Sequence, residues 1–182
     1  MKRNVLDNEM HIARELGFEG TSKNALTRNP YMRLSDGTCL VWLAGGLLSL
    51  VTTNTYFGMH QYLKRWKSSN GNSPYATMTS TQVNASGSGT HTETYYREIY
   101  KKEIEALAQR YGVSESEVFI DHINHMRGDN RDVNLRPATA GQNNQNRSSV
   151  KIERAFFTLE DLQSKIQTGE WIPLKNGSVS YV

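Results

Sequence analysis

At 182 residues the chain is long enough for one core or two small ones, and 37% apolar residues support globular folding under the polar surface that a mean hydropathy of −0.63 implies. A net charge of +3 and a pI near 9.0 suit phosphate-bearing partners without specifying them. Cys39 is the only cysteine, which excludes an internal disulfide and a multi-cysteine zinc knuckle and fits a reducing cytosol.

Met1–Gly20 lacks the continuous apolar stretch of a signal peptide. Val5, Leu6, Met10, Ala13 and Leu16 instead fall near helical spacing, with Gly17 or Gly20 as the stop. Tyr31–Leu34 and Thr38–Trp42 flank Ser35-Asp36-Gly37 and predict a β-hairpin. Leu43–Val51 fits strand and helix equally. The longest apolar run, Cys39–Val51, is broken by Gly45-Gly46 and Ser49 and falls short of the roughly 20 residues of a membrane span, so a soluble cytoplasmic protein is expected.

Tyr56–Lys67 sets aromatic residues at mixed helical spacing beside Lys64, Arg65 and Lys67, which reads either as a basic-aromatic segment that grips phosphate and stacks on bases or sugars, or as a core helix with a solvated cationic face. From Ser68 to Thr92 the texture turns to Ser, Thr, Asn and Gly. That predicts a polar loop or linker with a short strand near Tyr75–Val83. Thr94–Tyr111 reads as a helix with Ile99, Ile104, Leu107 and Ala108 on its apolar face and Gly112 as its stop.

Asp121–Asn146, DHINHMRGDNRDVNLRPATAGQNNQN, then gathers groups that packing alone rarely clusters: an Asp-His pair followed by a ladder of Asn and Arg. Val118, Phe119, Ile120 and Ile123 predict a strand carrying Asp121 and His122 at its end. Arg127-Gly128-Asp129-Asn130 is turn chemistry. Val133-Asn134-Leu135-Arg136 is expected to return as a second strand, and Thr139 to cap a helix from Ala140 to about Ser149.

This stretch resembles the HNH endonucleases with the ββα-metal fold. The resemblance rests on Asp121-His122, Asn134 twelve positions after the His, and Asn143 nine further on, with Asp129-Asn130-Arg131, Asn134-Leu135-Arg136, Thr139 and Gln142-Asn143 in register between and Asn146 following. It covers about thirty residues and is most similar to the phage and intron-type homing branch. The resemblance implies that Asp121 and Asn143 hold a divalent metal, that His122 is the general base, and that Asn134 orients the His. Asn146 lies on the same helical side as Asn143 and is a secondary site candidate. Arg127, Arg131, Arg136 and Arg147 are candidate phosphate contacts. A site with few protein oxygens suits Mg²⁺, with Mn²⁺ able to replace it; the structural zinc of some wider relatives is not expected. Adjacent strand residues point oppositely, so Asp121 and His122 share a site only at a strand end that twists or turns.

After the site, Phe156-Phe157 should return to a core, and Thr158-Leu159-Glu160-Asp161 opens a helix running to Gln167. The expected fold is α+β: a ββα-metal nuclease core with additional N-terminal α/β elements and a C-terminal helix. Its expected parts are an N-terminal region over 1–67 that contacts DNA, the linker 68–92, and a nuclease domain 93–182 with its core motif at 117–150. The expected partner is double-stranded DNA, cut by metal-dependent hydrolysis at a specific site in the homing manner, inside a bacterial or phage-infected cell. The alternatives are an HNH restriction or weakly specific nuclease, and a non-catalytic DNA-binding protein on the same scaffold. No protein partner is implied, although cutting both strands would take a homodimer or two sequential nicks.

Overall fold

A computed structural model of the chain describes residues 5–22, 29–58, 65–68, 76–84, 87–94, 97, 100–146 and 156–175, with only the backbone course given for the strands between 65 and 94. The fold is mixed α+β. Helix α1 (Val5–Glu15) leads to strands β1 (Tyr31–Arg33), β2 (Thr38–Leu43) and β3 (Leu47–Thr52). Antiparallel pairing joins β1 to β2 and β2 to β3, and the two-residue strand β8 (Asp129–Asn130) adds to β3 in parallel, giving the order β1-β2-β3-β8.

The hairpin expected across Ser35-Asp36-Gly37 is present, with Gly37 at φ 82° and Asp36 Oδ1 accepting from Thr38 N at 3.0 Å. The ambiguity of Leu43–Val51 resolves as a second hairpin. Gly45 (φ 82°) and Gly46 (φ 69°) supply its turn, which Glu9 of α1 grips by accepting from Gly45 N at 2.9 Å and Trp42 Nε1 at 2.8 Å. No alternation marked these strands because both faces of the sheet are covered, as the unbroken burial of β2 shows. On one face Leu40, Trp42, Leu48 and Leu50 pack with Ala13 of α1 and with Phe157 and Trp171. On the other Cys39, Val41 and Val51 pack with Ile104 of α3 (Lys101–Tyr111), Ile120 of β7 (Phe119–His122) and Leu135 of β9 (Leu135–Ala138). Truncating Trp42 to Ala in such a setting costs roughly 3–5 kcal/mol. Cys39 lies within this core, and burial pushes its thiol pKa up.

Several expectations change. Of the helix expected over 56–67, α2 spans only Thr53–Gly58, residues 59–64 lie outside the described residues, and Arg65–Ser68 is a strand, β4. The strand expected near Tyr75–Val83 is present as β5 (Ala76–Asn84), but the rest of the stretch expected as a loop or linker carries a second strand, β6 (Gly87–Thr94), and the two form a sheet in the order β4-β5-β6. Thr and Val suit strands, and a polar texture that reads as linker is equally compatible with a hairpin. The N-terminal and motif regions are also joined: β3 pairs with β8, and Leu48 exchanges backbone bonds with Phe157.

The motif region folds as strand, strand, helix. Strands β7 and β9 pair antiparallel with Asp121 opposite Arg136, and helix α4 (Ala140–Asn146) follows. The second strand starts at Leu135 rather than Val133, because Asp132–Asn134 forms a 3-10 turn. Helix α5 (Leu159–Gln167) starts where expected, and a capping box between Thr158 and Asp161 opens it. No helix among the described residues is long and apolar enough to cross a membrane.

Candidate active site

Strand β7 delivers Asp121 and His122. Val118 and Ile120 anchor it in the core, and Arg97 holds its entry by donating to the carbonyls of Val118 (2.8 Å) and Glu115 (2.7 Å). Both site residues are nearly inaccessible, at 6% and 5% exposure, although each carries polar atoms that burial penalises unless paired.

Their partners lie on different elements. Asp121 Oδ2 accepts from Arg136 Nε at 3.1 Å and Nη2 at 2.9 Å across the β7–β9 ladder. Its Oδ1 accepts from Asn146 Nδ2 of α4 at 3.0 Å, and the same amide nitrogen lies 3.4 Å from His122 O. His122 Nε2 lies 3.1 Å from Asn130 Oδ1. Asn130, wholly buried in β8, donates from Nδ2 to Ser49 Oγ of β3 at 2.9 Å. Asp121 is thus tied to β9 and α4 while His122 is tied to the central sheet, the divergence that strand alternation requires. Burial is the largest influence on the imidazole and lowers its pKa from the ordinary 6.5. The Asn130 bond and the charges of Asp129 and Asp121 oppose that shift, and Arg127 adds to it. The ring is therefore biased toward its neutral, proton-accepting form.

Asn134 does not take the orienting position expected for it. Its Oδ1 accepts from Asn124 N at 2.9 Å and its Nδ2 donates to Asp129 O at 2.8 Å, so its side chain staples the loop between β7 and β8. The amide on the His122 ring belongs to Asn130. Asn124 completes the loop by donating to Asp129 Oδ2 at 2.8 Å and accepting from Met126 N at 2.9 Å. In the same loop His125 is the only non-glycine residue at positive φ (64°) among the described residues.

The arginines divide. Arg131 is engaged within the protein. Its Nε and Nη2 bond both oxygens of the buried Asp129 at 2.8 and 2.6 Å, and that pairing raises its pKa. Arg136 pairs with Asp121, yet its side chain is 48% exposed and reaches the surface. Arg127 is half-buried near His122. Lys64 and Arg147 lie outside the described residues, and of Arg65 and Lys67 only the backbone pairing in β4, with Thr79 and Thr77, is described.

Thr139 and Gln142 cap α4 reciprocally: Gln142 Oε1 accepts from Thr139 N at 2.9 Å, and Thr139 Oγ1 accepts from Gln142 N at 3.4 Å. Asn143 is half-buried one turn before Asn146, on the same side of the helix. Its carboxamide bonds no other described residue. Among the described residues no three His, Cys, Asp or Glu side chains gather as ligands. The oxygens on offer are the Asp121 carboxylate and the Asn143 carbonyl, a hard donor pair that fits a Mg²⁺-like ion completed by water and phosphate. Such an ion would share Asp121 with Arg136 and Asn146. Beside them Arg136, Pro137, Gln142 and Asn146 line an open polar groove.

Asn130 and Ser49 were not singled out in the sequence. Ser49 had one signal, as the only polar residue between Leu47 and Val51. No protein-family model matches the chain, and no curated protein or solved structure matches it significantly.

Proposed function

We propose that the chain is a metal-dependent DNA endonuclease of the HNH type with a ββα-metal core, and that it cuts at specific sites in the manner of the phage homing branch. The observation that carries this reading is the buried Asp121–His122 pair, whose two side chains engage different elements at one strand end. In-line hydrolysis needs an activated water on one side of phosphorus and stabilisation of the departing oxygen on the other. A neutral imidazole on one flank and a hard anionic oxygen on the other match that demand. His122 takes a proton from water; Asp121 and Asn143 hold the divalent ion, which when bound stabilises negative charge on the phosphate. Arg127 and Arg136 contact the backbone of double-stranded DNA.

A second reading, a DNA-binding protein without catalysis, draws support from the closure of Asp121 by Arg136 and Asn146. Incubating long duplex DNA with the protein in Mg²⁺, in Mn²⁺, in EDTA, and with a His122→Ala variant separates the two. The nuclease reading expects discrete, metal-dependent fragments and a rate lower by about 10²–10⁴ in the variant with DNA affinity retained. A smear would move the assignment to a weakly specific nuclease. Tight, salt-sensitive binding without cutting would favour the scaffold.

A further inference from the structure

Strand β7 is two-faced. Val118, Ile120 and His122 are buried, whereas Phe119 and Ile123, on either side of Asp121, remain 43% and 44% exposed. The pairing with β9 continues one residue past the strand, Ile123 N donating to Asn134 O at 2.9 Å, so Phe119, Asp121 and Ile123 take successive positions on one face. Such positions are roughly 7 Å apart. Phe119 stands on a firm base, because its neighbours Val118 and Ile120 lie in the core and Arg97 holds the Val118 carbonyl at 2.8 Å. Its ring stacks on none of the other described aromatic rings.

A single apolar side chain in water carries no information. The position of this one does. Phe119 lies opposite Ala138, where β9 ends and α4 begins two residues on, and the far end of α4 brings Asn146 to Asp121 at 3.0 Å. The helix therefore runs alongside β7, with Asn143 one turn nearer Phe119 than Asn146 is. The row offers an aromatic face, then a polar centre of Asp121, Arg136 and Asn143, then an aliphatic face. A DNA strand carries the matching order of nucleoside, phosphate and nucleoside. In an intact duplex each base face is covered by its neighbours, so Phe119 can stack only on a base that has left the helical stack.

We propose that Phe119 is a stacking platform for the base next to the cleaved phosphate, so that the preferred substrate is DNA with an unstacked base at the cut step. The inference rests on the nuclease reading and names the form of DNA that its site takes. Pulling a base from an intact duplex costs more than one aromatic ring returns, whereas at a mismatch much of that cost is already met.

Cleavage of long duplex DNA in Mg²⁺ first maps the cut step. Single-turnover rates are then measured with the full chain on a short duplex holding that step and on the same duplex with a mismatch there. Wild type is expected to cut the mismatched DNA about tenfold faster, the lower part of what base–aromatic stacking supplies. Phe119→Ser should lose that advantage by slowing on the mismatched DNA while keeping its rate on the intact duplex; Phe119→Trp should retain the advantage. A folding defect would slow both substrates together and leave their ratio unchanged. Equal wild-type rates on the two substrates, or a Phe119→Ser variant that keeps the preference, would overturn the inference and leave the nuclease reading in place. If wild type cuts no DNA, that reading fails and the inference falls with it.

Discussion

The guanidinium of Arg136 sits opposite Asp121 in the β7–β9 ladder and gives two bonds, at 3.1 and 2.9 Å, to the single oxygen Oδ2. It neutralises a carboxylate that is 6% exposed while its own side chain stays about half in solvent. A cation arriving at Asp121 competes with that pairing. Arg136→Gln should therefore lower stability in EDTA by about 1–2 kcal/mol, the low end for a charged hydrogen bond because Arg136 is partly solvated. The same variant should bind Mg²⁺ more tightly, and saturating Mg²⁺ should recover most of the lost stability. Urea unfolding with and without Mg²⁺, with calorimetric titration of the ion, reads both effects. Unchanged or weaker Mg²⁺ binding would remove Asp121 from the ligand set.

Burial of His122 makes stability depend on pH. Its folded pKa lies below the ordinary 6.5, so as pH falls the unfolded chain binds this proton first. The sign follows from linkage: stability attributable to His122 is complete above about pH 6.5 and declines as pH drops through the folded value. Unfolding curves in EDTA over that range should steepen in wild type relative to His122→Gln. Parallel curves for the two proteins would show that the ring titrates normally.

Arg131 and Arg127 should respond differently to substitution. Losing the Arg131 fork leaves the buried Asp129 short of its charged partner, so Arg131→Ala should destabilise by about 2–4 kcal/mol. DNA affinity measured against salt concentration should keep its slope in that variant when it is assayed where it is folded. Arg127→Gln should instead reduce the slope by about one unit, as expected for one lost phosphate contact. A shallower slope for Arg131→Ala would return Arg131 to the DNA interface.

Asn134→Ala would strip partners from Asn124 N and from the Asp129 carbonyl together. A loss of about 2–3 kcal/mol is expected for those orphaned groups. Cleavage by the folded variant should keep its rate, because the amide beside the imidazole is that of Asn130. A variant as stable as wild type but slower in cleavage would give Asn134 back the orienting role.

Much of the fold is legible where local chemistry decides it. Asp36-Gly37 fixes one turn, Gly17 ends α1, and Thr158 with Asp161 opens α5. The strand, strand, helix order after Val118 also follows from the residues. Where the deciding contacts are distant, the sequence is silent. Leu47–Thr52 showed no period because both of its faces are buried, and Arg65–Ser68 sat inside an aromatic-basic pattern that resembled a helix. Spacing nominated Asn134 over Asn130, four residues apart; the choice turns on a partner, Ser49, that lies 81 positions from Asn130. Arg131 looked like a surface cation because nothing local reveals that Asp129 is buried beneath it.

The two-residue pairing of β8 with β3 also sets when the site can exist during synthesis. Ser49 and Gly128 are 79 positions apart, and closing such a loop costs about 4 kcal/mol of chain entropy before any contact returns it. A nascent chain that has just released His122 from the ribosome holds Ser49 ready but lacks Gly128 and Asn130. A fragment beginning after residue 52 holds the whole motif but lacks Ser49. Neither contains the clamped imidazole, so the motif cannot be lifted into another scaffold as a cassette.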